Sequence, residues 1–161
     1  MMKTAFGMEK HREIAVKEED VETTHDCGIK IHGYPDRVEK LDDGSYIVVD
    51  FKTKRKVEHV EDDIDTCLQV IIYAYILEKE LGMNIKRGEY RYLRTGDVVT
   101  CDYNDEIKDK LSDKLKEFKE CLERGLFGVP AFLSKDDEKD ICKYCKYGGI
   151  CGKSSDWEVT V

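Results

Sequence analysis

Proline is scarce in this chain of 161 residues, with only two, and no segment has the biased composition of a linker. Internal repeats are also lacking. We therefore expect one domain over residues 1–161 rather than a series of modules. Hydrophobic residues make up 40% of the chain, which is enough for the core of a globular fold.

Long hydrophobic runs are missing as well. The longest spans residues 70–77, far fewer than the roughly 20 residues that cross a bilayer as a helix. Residues 1–6 lack the apolar stretch of a secretory signal. We therefore expect a cytoplasmic protein that does not engage a membrane.

An excess of positive charge is lacking too, because the formal net charge is -8. A passive nucleic-acid coat protein would normally be basic, so the sequence argues against that class. Local basic clusters nevertheless occur at residues 52–56 and 86–94, and such patches can guide a phosphate backbone. A mixed, solvated surface is the simpler interpretation of many of these side chains.

The hydrophobic pattern changes period along the chain and so predicts both helices and strands. The first predicted elements are a helix from Gly7 to about Lys17, a strand over Asp26–Lys40, a turn at Leu41–Ser45 and a strand over Tyr46–Lys52. A helix follows from about Glu61 to Leu81 and is ended by Gly82. The last elements are a hairpin of Ile85–Leu93 and Val98–Tyr103 and a helix capped by Asn104 and ended by Gly125. This order predicts an α/β fold, with a mixed β-sheet flanked by helices.

Two acidic residues and a lysine are predicted to meet on neighbouring strands. Side chains alternate along a strand, so Asp50 and Lys52 point to the same face. Asp36, on the preceding strand, can reach the same point. Paired carboxylates suit Mg²⁺ or Mn²⁺, and Lys52 can orient a water or stabilise negative charge at phosphorus. An exposed Asp–Lys pair is the simpler alternative, but the Gly33-x-x-Asp36 motif favours the metal site.

Two further motifs flank this set. Gly7-x-x-x-His11 lies on the predicted first helix, and Gln69-x-x-x-Tyr73 lies on the predicted long helix. In this order the motifs resemble the PD-(D/E)XK nuclease superfamily, and the wider pattern is similar to its RecB-like branch, which includes CRISPR-associated exonucleases. The resemblance spans nearly the whole chain. It implies a restriction-endonuclease-like sheet flanked by helices.

The resemblance also implies a role for each motif residue. The metal ligands would be His11, Asp36, Asp50 and the main-chain carbonyl of Phe51. The catalytic residues would be Asp36, Asp50, Lys52, Gln69 and Tyr73, with Lys52 positioning the attacking water. From the residues alone, Gln69 can hydrogen-bond Lys52 or a phosphate, and Tyr73 can stack on a base. A half-buried tyrosine on an amphipathic helix is the simpler interpretation of Tyr73.

The seven cysteines divide into two groups. Four are scattered, and we expect them to be small buried side chains rather than disulfide partners: Cys27, Cys67, Cys101 and Cys121. The other three, Cys142, Cys145 and Cys151, cluster in a loop-rich tail over about residues 126–161. A Cys-x-x-Cys pair can converge on one metal centre, so zinc and an iron–sulfur cluster are both candidates.

The identity of this centre stays open. The resemblance implies a [4Fe–4S] cluster held by such a trio and by a cysteine before the first helix, but no cysteine precedes Gly7. Three explanations remain. The chain is shorter than its relatives, Cys27 or Cys121 supplies the fourth ligand, or the cluster is lost and zinc or free thiols remain.

Together these features predict a metal-dependent DNA exonuclease, with single-stranded ends implied as its substrate. DNA repair, recombination and CRISPR adaptation are open as pathways, and a helicase or a CRISPR integrase is a candidate partner, as is a second copy of the chain. One alternative is a nuclease-like module, with a structural metal cluster, that binds DNA or a partner without cutting. Another is a redox sensor built on the cysteine tail. The intact set of Asp36, Asp50 and Lys52 favours the enzyme.

Overall fold

The structure is a computed structural model that describes residues 12–53 and 64–125. The chain divides between Glu117 and Phe118 into two compact units, and the sheets described below belong to the first. Several predictions concern residues outside the described ranges: the helix start with Gly7 and His11, and the tail with Cys142, Cys145 and Cys151. None of the described helices is long and apolar enough to cross a membrane.

Seven strands and two helices make up the described part of the chain. In chain order they are β1 (Ile14–Val16), β2 (Val21–Thr24), β3 (Lys30–Gly33), β4 (Arg37–Lys40), β5 (Tyr46–Lys52), α1 (Ile64–Leu81), β6 (Ile85–Tyr92), β7 (Val98–Asp102) and α2 (Asp105–Glu123).

The strands form two sheets. The larger has five strands in the order β1-β4-β5-β6-β7, and β2 and β3 form a separate antiparallel hairpin. Within the larger sheet β5 and β6 are parallel, and the other neighbours are antiparallel. A parallel pair needs a long connection, and α1 lies in the one between β5 and β6. This architecture confirms the predicted mixed sheet with helices.

One face of the larger sheet packs against α1. Val48 of β5 and Tyr90 of β6 share this face and belong to one buried cluster with Val70 and Leu77 of α1. The same cluster includes Ile31 of the small hairpin. Because α1 is packed against both sheets, side chains on its surface can meet the end of β5.

The other face of the larger sheet buries a charged network. Arg91 donates two hydrogen bonds of 2.8 Å to the carboxylate of Glu39 and further bonds to Glu89. Burial alone would raise the pKa of Glu39, but Arg91, together with Arg37 and Arg12, holds that pKa below its ordinary value. A buried charge is tolerated only when it is paired in this way.

Two of the sequence predictions are wrong near the N-terminal side. Residues 14–16 form strand β1 rather than the end of a helix, because the β-branched Ile14 and Val16 pair with β4. The expected strand over Asp26–Lys40 is divided into β3 and β4, which belong to different sheets. Buried Pro35 lies at the break and has no N–H to donate to a ladder. Strand β2 was not predicted.

The remaining predicted elements are confirmed within the described residues. Helix α1 ends at Leu81, and Gly82 takes the left-handed conformation, with φ of 61°, that commonly closes a helix. Asn104 caps α2 by accepting a hydrogen bond of 3.0 Å from the N–H of Ile107. The hairpin of β6 and β7 is also present.

One expectation about the scattered cysteines is also wrong. Cys67 of α1 and Cys101 of β7 form a disulfide bond, with Cα atoms 5.8 Å apart. The two are 34 residues apart in sequence and both are buried in the core between helix and sheet. Cys27 and Cys121 are free thiols of intermediate exposure.

Candidate active site

The two carboxylates lie where β4 begins and β5 ends. Asp50 is the fifth residue of β5 and shares the α1-facing side of the sheet with Val48. Asp36 lies immediately before β4, and its Oδ2 accepts a hydrogen bond of 2.8 Å from the main-chain N–H of Phe51. This bond fixes Asp36 beside Asp50, because Phe51 follows Asp50 directly.

Asp50 is buried, with 5% of its surface exposed. Lys52 Nζ lies 2.7 Å from Oδ2 of Asp50, but outside hydrogen-bonding geometry, so Oδ2 has an ionic neighbour and no hydrogen-bond donor. Burial raises the pKa of Asp50, Lys52 opposes that rise, and Asp36 adds to it. Lys52 therefore does not fully offset the cost of burying the Asp50 carboxylate.

Lys52 is held from three sides. Its Nζ donates a hydrogen bond of 2.7 Å to Oε1 of Gln69, in addition to its ion pair with Asp50. The same nitrogen lies 4.9 Å from the centre of the Tyr90 ring. With 32% of its side chain exposed, the ammonium is also open to solvent and to a ligand.

Helix α1 contributes Gln69 and Tyr73, which are four residues apart and therefore share one face. Nε2 of Gln69 donates a hydrogen bond of 3.0 Å to the hydroxyl of Tyr73. The ring of Tyr73 lies against Gly33, where any Cβ would clash with its Cε1 atom. Glycine at residue 33 is therefore required by the close approach of Tyr73.

Tyr90 belongs to this arrangement although the sequence analysis did not identify it. In the parallel register Asp50 is paired with Tyr90, so both side chains are on the same face. Burial raises the pKa of Tyr90 to about 12. Only the parallel pairing of β5 and β6 brings Tyr90 to Lys52, and that pairing joins residues separated by the whole of α1.

The structure thus brings together five of the predicted site residues: Asp36, Asp50, Lys52, Gln69 and Tyr73. Phe51 lies between Asp50 and Lys52 and has its N–H bonded to Asp36. His11 and the three clustered cysteines lie outside the described residues. Within residues 12–53 and 64–125, no group of three or more His, Cys, Asp or Glu side chains is arranged to hold a metal ion.

Comparison with known proteins assigns this arrangement to a family. The family model of the PD-(D/E)XK nuclease superfamily matches residues 1–152. The chain belongs to this superfamily. Membership confirms the resemblance drawn from the motifs.

The chain is also similar to a curated protein with a CRISPR-associated name. A CRISPR-associated exonuclease Cas4/endonuclease Cas1 fusion from Leptospira interrogans is 26% identical over 154 residues. The match covers 90% of this chain and 27% of the relative, so the chain spans about a quarter of the length of that protein.

A solved structure supports the fold. The crystal structure of SSO0001 aligns with a TM-score of 0.52 and 21% sequence identity, covering 86% of this chain and 59% of that one. At this level of identity the likeness shows that the two chains share a fold.

The site residues fit the divalent cation that PD-(D/E)XK nucleases generally use, Mg²⁺ or Mn²⁺. Oδ2 of Asp50 is a buried carboxylate oxygen without a hydrogen-bond donor, and Asp36 lies close enough to raise the pKa of Asp50. Asp36 and Asp50 would hold such a cation, and its positive charge would offset both the cost of burying Asp50 and the repulsion between the two carboxylates. Carboxylate oxygens are also the ligands that a hard divalent ion prefers.

Proposed function

We propose that this chain is a Mg²⁺- or Mn²⁺-dependent DNA exonuclease that hydrolyses phosphodiester bonds at single-stranded ends. The observation that carries the proposal is the placement of Lys52 Nζ, 2.7 Å from both Asp50 Oδ2 and Gln69 Oε1, at the end of a strand that also bonds Asp36. Two carboxylates and one exposed ammonium at one point are the groups that metal-assisted hydrolysis of a phosphodiester requires.

In this proposal Asp36 and Asp50 hold the cation, with His11 and the Phe51 carbonyl as further ligands. The cation, when bound, would polarise the phosphoryl oxygens and make a nearby water more acidic. The bond between Asp36 and the Phe51 N–H keeps one carboxylate oriented, and burial of Asp50 excludes bulk water from the other. Both effects organise the site before substrate binds.

Lys52 would position the attacking water and stabilise the negative charge that develops at phosphorus. A new bond forms from the water oxygen to phosphorus and one ester bond breaks, leaving a phosphate monoester and a hydroxyl. Gln69 would keep the Lys52 ammonium in place by accepting its hydrogen bond at Oε1. The bond from Gln69 Nε2 to the Tyr73 hydroxyl keeps the amide turned so that Oε1 faces Lys52.

The finer assignments rest on the superfamily and the relative. We propose that residues 1–161 act as one nuclease domain and that its tail over about residues 126–161 holds a metal through Cys142, Cys145 and Cys151, as an iron–sulfur cluster or zinc. The Leptospira relative is named as a fusion with an endonuclease Cas1. A Cas1-type integrase is therefore the partner that we propose first, with CRISPR adaptation as the pathway and DNA repair or recombination as the alternatives.

A cleavage assay on labelled strands tests the proposal. Single-stranded DNA labelled at its 5′ end, and the same strand labelled at its 3′ end, would be incubated with the protein in EDTA, Mg²⁺ or Mn²⁺. We expect stepwise shortening only with a divalent cation, and the label that is released first gives the polarity.

Two variants make the assay specific. Asp50→Asn removes one proposed ligand charge with little change in shape and should abolish cleavage. Asp109→Asn changes an exposed carboxylate on α2 and is the matched control. Equal cleavage by the parent and the Asp50→Asn variant, or cleavage that persists in EDTA, would show that the proposed site is not the active one.

A further inference from the structure

Tyr34 is an aromatic residue that the site described above leaves unused. Its side chain belongs to the exposed large hydrophobics of the described residues, with 55% of its surface accessible. Its neighbours Gly33 and Pro35 are both buried. The tyrosine therefore stands out from a segment that is otherwise packed, two residues before Asp36.

The ring of Tyr34 is held in place by polar neighbours rather than by the core. The His32 ring meets it edge to face, with centroids 5.0 Å apart and an angle of 88° between the planes. His32 is held in turn by Asp20, whose Oδ1 lies 2.7 Å from Nε2 of His32. An exposed aromatic ring oriented in this way is available to a ligand at little cost in side-chain entropy.

Tyr73, which the sequence suggested as a base-stacking residue, is already engaged. One part of its ring packs on Gly33, and its hydroxyl accepts a hydrogen bond from Gln69. Stacking a base on Tyr73 would compete with these contacts. Tyr34 lies next to Gly33 in the chain, and its ring contact within residues 12–53 and 64–125 is the one with His32.

We propose that Tyr34, oriented by His32 and Asp20, is a stacking site for a nucleobase of single-stranded DNA beside the phosphate that is cut. The inference rests on the proposed function, because Asp36 defines where the phosphate lies. Two residues span at most about 7 Å between Cα atoms. A phosphate bound at Asp36 therefore lies near the backbone of Tyr34, and the proposal places an adjacent base on its exposed ring. Such stacking tolerates any base, because every base has a π-face.

The first test measures binding apart from cleavage. Fluorescence anisotropy of a labelled single-stranded oligonucleotide would be recorded in EDTA, where the proposed nuclease cannot cut. Tyr34→Ala should weaken binding by about 5- to 100-fold, the range expected for the loss of one stacked base. Tyr34→Phe keeps the ring and should bind within about twofold of the parent. Leu81→Ala, at a residue that is 56% exposed at the end of α1, is the matched control and should bind as the parent does.

The second test locates the base. A single abasic position would be moved along the oligonucleotide, and binding would be compared for the parent and for Tyr34→Ala. We expect one position at which removing the base weakens binding to the parent. At that position the abasic and complete strands should bind Tyr34→Ala equally well. This coupling is specific to a contact between ring and base, and a change in folding would not produce it at one position.

The outcomes separate this inference from the proposed function. Coupling at one position in a parent that cuts no DNA with any divalent cation would support the stacking site and refute the nuclease. A parent that cuts DNA, with additive effects at every abasic position or with Tyr34→Ala binding like the parent, would refute the stacking site alone. The stacking site would also be refuted if the parent did not bind single-stranded DNA in EDTA.

Discussion

The ammonium of Lys52 lies 4.9 Å from the centre of the Tyr90 ring, and the two residues come from adjacent parallel strands. The ring face attracts the cation and restricts where Nζ can go, while Asp50 and Gln69 fix the other directions. Tyr90 is 5% exposed and does not reach a substrate as Lys52 can, so we regard it as a positioning residue.

Replacing Tyr90 tests this relationship. Tyr90→Leu removes the ring face and should lower the single-turnover rate constant of cleavage by about 2- to 30-fold, the range expected for a cation–π contact that is partly desolvated. Tyr90→Phe keeps the face and should retain most of the activity. The measurement is single-turnover cleavage of labelled DNA with saturating Mg²⁺. If the leucine and phenylalanine variants cut at the same rate, the ring does not position Lys52.

Removal of Lys52 should separate activity from folding. Lys52→Ala takes away the proposed water-positioning group, and we expect cleavage to fall by at least about 100-fold, as when an enzyme loses one preorganised charge-stabilising donor. The side chain is partly exposed, so the fold should persist. Cleavage rates and thermal unfolding of the same preparations would be compared. A variant that cuts as fast as the parent contradicts the role assigned to Lys52.

Gly33 should tolerate no side chain while Tyr73 is present. In Gly33→Ala the new methyl group would clash with the Tyr73 ring and displace it, together with Gln69. Overpacking of this kind costs about 1–3 kcal/mol of unfolding free energy, and cleavage should fall with it. The double variant Gly33→Ala/Tyr73→Ala should be more stable than the sum of the two single changes predicts. Strict additivity in urea denaturation would show that the clash is not the cause.

The parts of the site that can be predicted from the sequence are those in which neighbouring residues lie on one helix or strand. Asp50 and Lys52 are predicted to share a face by the period of a strand. Gln69 and Tyr73 are identified by the family motif, and the period of a helix then places them on one face. Helix ends are also predictable from nearby residues, because Gly82 follows α1 directly, and Asn104 and Gly125 lie within two residues of the ends of α2.

Long-range pairing could not be predicted in that way. The parallel register that joins Asp50 to Tyr90 and the disulfide of Cys67 and Cys101 both connect residues that are far apart in sequence. The break at Pro35 also separates Ile31 from Val38, which fall on opposite phases of a two-residue period, and the two strands belong to different sheets. Hydrophobic period identifies a strand and leaves its partner unspecified.

The disulfide of Cys67 and Cys101 should stabilise the fold, because it closes a loop of 34 residues between α1 and β7. Cys67→Ala/Cys101→Ala should lower the unfolding free energy by about 2–4 kcal/mol relative to the oxidised parent. Urea denaturation would measure the difference, and Cys121→Ala, which changes a free thiol, is the control. Addition of a reductant should shift the parent toward the double variant. Equal midpoints for the oxidised parent and the double variant would show that the bond does not stabilise this protein.

His25 should make stability depend on pH in the mildly acidic range. The ring is buried, and its Nδ1 accepts a hydrogen bond of 3.1 Å from the N–H of Cys27. Burial lowers the pKa of His25 below its ordinary value of 6.5, while Asp26 opposes this shift and Lys79 and Lys116 add to it.

The sign of the effect follows from the direction of that shift. Below pH 6.5 the unfolded chain takes up a proton on His25 before the folded chain does, so the contribution is complete above pH 6.5 and is lost as the pH falls. One group can account for at most about 1.4 kcal/mol per pH unit. Urea denaturation at pH 7.5, 6 and 5 would show a smaller loss for His25→Gln than for the parent, with the difference between the two constant above pH 7. A parent and variant that lose stability in parallel down to pH 5 would mean that His25 takes up its proton equally in both states.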